Sequence, residues 1–155
     1  MSELDEGAKA PDFTAKDQDG NTISLSDFSG KNLILYFYPK DDTPGCTAEA
    51  CSFRDNYKLL MDQGFNILGV SIDDEKSHQK FIAKYSLPFP LIADTDKSIA
   101  EAYGVWVEKN MYGRKYMGVA RKTFIIDPEG IVKVIISKVD TKNSSQQILD
   151  LLAKN

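Results

Sequence analysis

The sequence predicts an α/β fold in which a central mixed sheet is flanked by helices, preceded by a short β-hairpin. Three observations carry this expectation. Apolar runs of the buried-strand type alternate with stretches of helical spacing, and two such runs near the end are joined by a tight turn. The third is length: 155 residues suit a single domain, 1–155, at about 150 residues per domain.

The elements follow in order. Phe13 to Leu25 alternates weakly around Asp19-Gly20-Asn21, a hairpin turn signal. Leu33 to Tyr38 is a continuous apolar run, as expected of a strand buried on both faces. Residues 46–62 carry apolar side chains at Ala50, Phe53, Tyr57, Leu60 and Met61, which predicts a helix. Phe65 to Ile72 predicts a second buried strand, and about 74–85 a helix with Phe81, Ile82 and Tyr85 on one side. After Pro88 and Pro90 come a short strand at Leu91 to Ala93 and a helix near 96–103. Thr123 to Ile126 and Ile131 to Ile136 form a hairpin around Asp127-Pro-Glu-Gly130, and a last helix covers about 144–153. A β-α-β-α succession that closes with a hairpin and a helix is the layout of a thioredoxin-like three-layer fold with an N-terminal extension. Fold alone does not give function.

Composition narrows the field. Apolar residues make up 42% and charged residues 27%, with 10 glycines and 6 prolines, which excludes a disordered or collagen-like chain. A net charge of −4 argues against tight nucleic-acid binding. The longest apolar run, Leu33 to Tyr38, is far short of the roughly 18 residues of a membrane span. The acidic start, Met1 to Gly7, has no apolar h-region, so the cytoplasm is the expected location. A chain whose targeting peptide had been removed would look the same. Two cysteines cannot make a disulfide scaffold, and with a single histidine they cannot close a four-ligand zinc site without carboxylates. In a reducing compartment such a pair points to redox chemistry.

Cys46 and Cys51 lie in Tyr38-Pro-Lys-Asp-Asp-Thr-Pro-Gly-Cys46-Thr-Ala-Glu-Ala-Cys51. Thr43 is suited to cap a helix and Pro44 to its first position, so Cys46 falls in the first turn. Free N–H groups and the positive end of the helix dipole favour a thiolate there, and the thiolate is the nucleophile. The plainer reading is that Cys46 heads the apolar stripe through Ala50, Phe53 and Tyr57. Cys51 weighs against it. Five residues on, it sits about 140° around and about 7.5 Å along the helix, with the two Cα atoms roughly 8.6 Å apart. A disulfide spans at most about 7 Å between Cα atoms, so the pair cannot close on an intact helix. Cys51 also lies off the stripe, beside Ala48, Ser52 and Asp55.

The chain resembles the peroxiredoxins, most closely the peroxiredoxin Q or bacterioferritin-comigratory-protein subfamily. The likeness runs through Ala10-Pro-Asp-Phe13, Pro39-Lys-Asp-Asp-Thr43-Pro-Gly-Cys46-Thr, Glu49-Ala-Cys51-Ser-Phe-Arg-Asp55, Gly69-Val-Ser71, Leu87-Pro-Phe-Pro-Leu91, Tyr103-Gly-Val-Trp106 and Arg121 to Asp127. The resemblance implies a cofactor-free thiol peroxidase acting on hydrogen peroxide and organic hydroperoxides. Cys46 would be peroxidatic and Cys51 resolving, with an intramolecular Cys46–Cys51 disulfide recycled by thioredoxin or a similar dithiol. Thr43 would hydrogen-bond peroxide and thiolate, Pro39 would shield the pocket, and Arg121 would favour the thiolate and polarise the O–O bond. Glu49 would hold Arg121. No cysteine lies near the C-terminus to serve a two-subunit scheme, and a monomer is expected.

Other features have plainer readings. His78 lacks a second histidine or a nearby cysteine and is expected on a helix surface or flank. Tyr103, Trp106 and Tyr112 are expected to pack in the core or a loop, with a substrate rim as the sharper alternative. Lys109, Arg114, Lys115, Arg121 and Lys122 suggest a solvated loop. Asp73-Asp74 suits a helix start better than a metal site, and no phosphate or dinucleotide fingerprint is present. Two rival functions remain open at this level: a disulfide oxidoreductase acting on proteins, and a non-enzymatic binding module with incidental cysteines.

Overall fold

Residues 33–37 of the central apolar run are all fully buried, and in the computed structural model, which describes residues 4–153, they occupy the middle of a five-stranded sheet. Nine strands and five α-helices are described. The N-terminal hairpin pairs β1 (Thr14–Lys16) with β2 (Thr22–Ser24). Asp17 shapes its turn, its carboxylate accepting from the N–H of Asp19 and Asn21 at 2.9 Å each. Then come β3 (Asn32–Phe37), α1 (Pro44–Asp55), α2 (Tyr57–Asp62), β4 (Phe65–Ser71), α3 (Glu75–Tyr85), β5 (Leu91–Ala93) and α4 (Ser98–Ala102). β6 (Trp106–Met111), β7 (Arg114–Val119), β8 (Lys122–Ile126), β9 (Val132–Ile136) and α5 (Ser144–Ala153) complete the order.

The main sheet runs β5-β4-β3-β8-β9. Its β3–β4 and β4–β5 pairs are parallel, and β3–β8 and β8–β9 are antiparallel, the mixed sheet that was expected. Side chains alternate across β3. Leu33, Leu35 and Phe37 join Phe13, Ile99, Tyr103, Val105 and Phe124 on one face. Ile34, Tyr36 and Tyr38 join Cys46, Ala50, Phe53, Phe81 and Ile148 on the other. Two cores on opposite sides of one sheet make the three-layer, thioredoxin-like arrangement.

Four local expectations are corrected. The helix expected over 46–62 begins at Pro44 and breaks at Asn56 (φ −113°, ψ 14°). There the side-chain amide of Asn56 donates to the Ser52 carbonyl at 2.9 Å, competing with the helical ladder. The basic run is not a solvated loop: β6 and β7 form a hairpin in register Trp106↔Val119 to Met111↔Arg114. Its turn, Tyr112-Gly113, has φ of 53° and 80°, the left-handed pair that a two-residue hairpin requires. Apolar periodicity missed it because this ribbon exposes most of both faces. Thr43 stands at the N-cap of α1 with extended backbone, but its hydroxyl donates to the Lys40 carbonyl at 2.9 Å and makes no cap hydrogen bond. His78 is fully buried, because both ring nitrogens find oxygen partners inside the protein. As expected, Asp74 starts α3, its carboxylate accepting from the Ser77 N–H at 2.8 Å. No described helix is long and apolar enough to cross a membrane.

Candidate active site

Cys46 owes its position to the short connection between β3 and α1. Pro44 occupies the first helical position, so Cys46 is third, and the first helical bond runs from the Thr47 N–H to the Thr43 carbonyl. The N–H groups of Gly45 and Cys46 thus have no acceptor within the helix, and both add to the positive end of its dipole. The side chain is 1% exposed, packed at the head of the stripe through Ala50 and Phe53. Both sequence readings of Cys46 hold at once: it heads the stripe and lies at the helix start.

Sheet register brings up the cation. β8 runs antiparallel to β3 with Phe37 opposite Lys122, so Arg121, one residue earlier, emerges at the C-terminal end of β3 beside the start of α1. Its Nη2 donates to Cys46 Sγ at 3.1 Å and its Nη1 to Glu49 Oε1 at 2.8 Å. Glu49 follows Cys46 by three residues and thus lies one helical turn along the same face. Donation from a guanidinium favours an anionic sulfur. Burial works against the Arg121 charge, yet the neighbouring Cys46 and Glu49 outweigh it and hold its pKa above the ordinary value.

Glu49 is fully buried, and burial pushes its pKa up to about 7 although Arg121 pulls the other way. Its Oε1 accepts from Arg121 in either protonation state, while Oε2 has no partner. The other buried side-chain oxygen without a partner among the described residues is Tyr36 Oη. Burial, then the charges of Glu49 and Cys46, raise the Tyr36 pKa.

Gly45 explains the close approach of the guanidinium. A Cβ at this position would lie 3.1 Å from Arg121 Nη2 and 3.7 Å from its Cζ. Lys109, on β6, is a second cation that sequence reasoning left among solvated residues. Its pKa is lowered by burial and then by Arg121, and raised by Cys46, which places it in the field of both groups. The signal that could have found it was the Tyr112-Gly113 turn, which folds β6 back beside β7.

Of the residues singled out in the sequence, the structure brings Cys46, Glu49 and Arg121 into contact. Pro39 is half-buried two residues beyond β3. Among the described residues no hydrogen bond joins Thr43 to Cys46, since the Thr43 proton is given to Lys40. Cys51 is half-buried on the same unbroken helix, and both cysteines are free thiols. Arg54, three residues after Cys51, donates to Asp55 Oδ1 and to the Tyr85 carbonyl at 2.9 Å each. Tyr103 packs in the core and Tyr112 is fully exposed at the hairpin tip, so neither lines a substrate rim at Cys46.

Comparison with known proteins agrees with this geometry. The AhpC/TSA family model matches residues 7–135. A protein of Coxiella burnetii named putative peroxiredoxin bcp is 48% identical over 96% of this chain and 99% of its own. Peroxiredoxin Bcp of Bacillus subtilis is 46% identical over 94% and 93%. Among solved structures, a PrxQ mutant of Xylella fastidiosa superposes with a TM-score of 0.92 at 31% identity, covering 99% of this chain and 98% of that one. Peroxiredoxin Q of Xanthomonas campestris superposes with a TM-score of 0.86 at 38% identity, covering 92% and 90%. Likeness of this extent, over a site built around a thiol and a guanidinium, shows that the chain belongs to the AhpC/TSA family as a peroxiredoxin, an oxidoreductase that reduces peroxide with a thiol.

Proposed function

We propose that Cys46 is the peroxidatic cysteine and Cys51 the resolving cysteine of a cycle recycled by thioredoxin or a similar dithiol. The Arg121 guanidinium 3.1 Å from the Cys46 sulfur, at a helix start, is the observation that carries this reading. The thiolate attacks one peroxide oxygen, the O–O bond breaks, and the leaving alkoxide or hydroxide takes a proton to become alcohol or water. Cys46 is left as a sulfenic acid. Arg121 polarises the O–O bond and stabilises charge developing on oxygen, helped by the free N–H groups of Gly45 and Cys46. Thr43, its own proton given to Lys40, offers lone pairs that accept the peroxide O–H. Pro39 shields the pocket, and Glu49 holds Arg121.

The first turns of α1 then unwind, and the Cys51 thiolate attacks the Cys46 sulfur. A disulfide forms and water leaves. A dithiol donor returns both cysteines to thiols and is itself oxidised to a disulfide. The substrates proposed are hydrogen peroxide and organic hydroperoxides. A structure of the Xanthomonas campestris bacterioferritin comigratory protein is described in terms of alkyl peroxide reduction, which supports the second class. Both redox cysteines belong to one chain, and we place the enzyme as a single-domain monomer in the cytoplasm with no metal or cofactor.

Peroxide consumption with thioredoxin and its reductase tests the scheme. Wild type turns over, Cys46→Ser does not, and Cys51→Ser is oxidised once, to a sulfenic or over-oxidised mass, without fast recycling. Turnover by Cys46→Ser, or an unmodified thiol in Cys51→Ser after one equivalent of peroxide, would overturn it.

A further inference from the structure

The residues from Tyr38 to Thr43 connect β3 to α1 and carry Pro39 and Thr43, yet helical and strand hydrogen bonds hold only the two ends, Tyr38 and Thr43, and none of residues 39–42. Asp42 adopts a left-handed conformation, φ 58°, a region that residues with side chains seldom take and Asp takes more readily than most. Its carboxylate accepts from Lys84 Nζ at 2.8 Å and Tyr85 Oη at 2.9 Å at the end of α3. Both of these bonds lie at the surface. The buried attachment is Asp41.

Asp41 is 7% exposed and surrounded by donors. Its Oδ1 accepts from Tyr38 Oη at 2.6 Å, and its Oδ2 from Ser77 Oγ at 2.8 Å. His78 Nδ1 lies 2.6 Å from the same Oδ2. The Asp41 N–H donates to Asp73 Oδ2 at 2.8 Å, and Asp73 also accepts from Ser71 Oγ at 2.7 Å. On the far side of the ring, His78 Nε2 lies 2.8 Å from the Ile92 carbonyl oxygen of β5. A neutral imidazole has a single N–H, whereas here both nitrogens face acceptors. The imidazolium satisfies both contacts with its two N–H groups, and it does so against a carboxyl that already takes two hydroxyl donors. Asp41, Asp73 and His78 form a compact cluster, but the nitrogens of His78 and the oxygens of Asp41 are all engaged by the protein, so the cluster offers no ready set of ligands to a metal ion.

We propose that His78 is a positioning residue for peroxide reduction: as a buried imidazolium clamped between Asp41 and the Ile92 carbonyl, it anchors the 39–43 loop to α3 and β5. The proposal rests on the assignment of Cys46, Thr43 and Pro39 to the peroxide site. The loop must hold its acceptor and shielding groups in place while α1 opens and closes beside it during each cycle. An anchor built from α3 and β5, outside the turns of α1 that unwind, allows that movement without loss of registration. Misplacing positioning groups by about 1 Å can slow a reaction by as much as about a hundredfold.

The test compares two substitutions that keep different halves of the clamp. In His78→Asn the amide nitrogen stands near the Nδ1 position and retains the bond to Asp41. In His78→Gln it stands near Nε2 and retains the bond to Ile92. Single-turnover oxidation of reduced protein by hydrogen peroxide is read beside alkylation of Cys46 by iodoacetamide, which needs no peroxide-binding loop. The expected result is a fall in peroxide rate of about tenfold or more for His78→Gln and within about threefold for His78→Asn, with alkylation within about twofold for both. Equal peroxide rates in wild type and His78→Gln would overturn the proposal, as would parallel losses in oxidation and alkylation. Tyr38→Phe, which removes only one hydroxyl donor to Asp41, covers the case in which His78→Gln does not fold. It should slow peroxide oxidation several-fold, and a wild-type rate in it would also overturn the proposal. Failure of the wild type itself to oxidise at Cys46 would instead refute the underlying functional assignment.

Discussion

Replacing Glu49 with glutamine isolates the largest electrostatic consequence of the site. In the native protein the carboxyl is fully buried, one oxygen has no partner, and its pKa stands at about 7 against an ordinary 4.5. The folded state therefore holds this proton more tightly than the unfolded chain does. Its stabilising contribution is fully present below about pH 4.5 and is lost as pH rises through about 7. The gap of about 2.5 units, at about 1.4 kcal/mol each, corresponds to about 3 kcal/mol. Glutamine has no proton to lose and keeps an oxygen for Arg121 Nη1. Urea denaturation of reduced Glu49→Gln and wild type at pH 4.5 and pH 8.5 should show the variant gaining about 3 kcal/mol relative to wild type across that range. A stability difference that stays constant would refute the reasoning. The same variant should lose any step near pH 7 in the rate of peroxide oxidation, because Arg121 would no longer be shared with an ionising carboxylate.

Two further outcomes follow from the geometry. Gly45→Ala places a methyl 3.1 Å from Arg121 Nη2 and displaces the guanidinium from Cys46 Sγ; the peroxide rate should fall several-fold, and an unchanged rate in stopped-flow oxidation would contradict this. Closing Cys46 to Cys51 requires the first turns of α1 to unwind, whereas α5 grips the helix at Ser52. There Ser145 Oγ donates to the Ser52 carbonyl at 2.9 Å, and the Ser145 N–H donates to Ser52 Oγ at 3.2 Å. Hydrogen exchange after oxidation should therefore rise over 45–51 and remain slow over 53–55; equal exchange in both redox states would count against the unwinding step.

Much of the architecture was legible because it depends on local periodicity. Leu33 to Tyr38 could only be a strand buried on both faces, and Thr43-Pro44 placed the helix start that puts Cys46 in its first turn. The five-residue interval to Cys51 already separated the two thiols on an intact helix. Where local signals failed, the reason was physical in each case. The β6–β7 ribbon is too exposed to show apolar alternation, Asn56 breaks a continuous apolar stripe by a side-chain bond, and Thr43 turns its hydroxyl back to Lys40.

The sequence by itself determined the strands of the main sheet, the start of α1, the cysteine spacing and the family resemblance, since each is set by residues within a few positions of one another. Only the tertiary structure decided that Arg121 meets Cys46, because that depends on β8 pairing with β3 at Phe37 and Lys122, 85 positions apart. Burial had the same authority over charge. Nothing local to Glu49 announces a carboxyl with a pKa near 7, and nothing local to His78 announces an imidazolium enclosed between Asp41 and Ile92. Desolvation and sheet register are properties of the assembled chain, and in this protein they set the chemistry of the residues that the spacing could only locate.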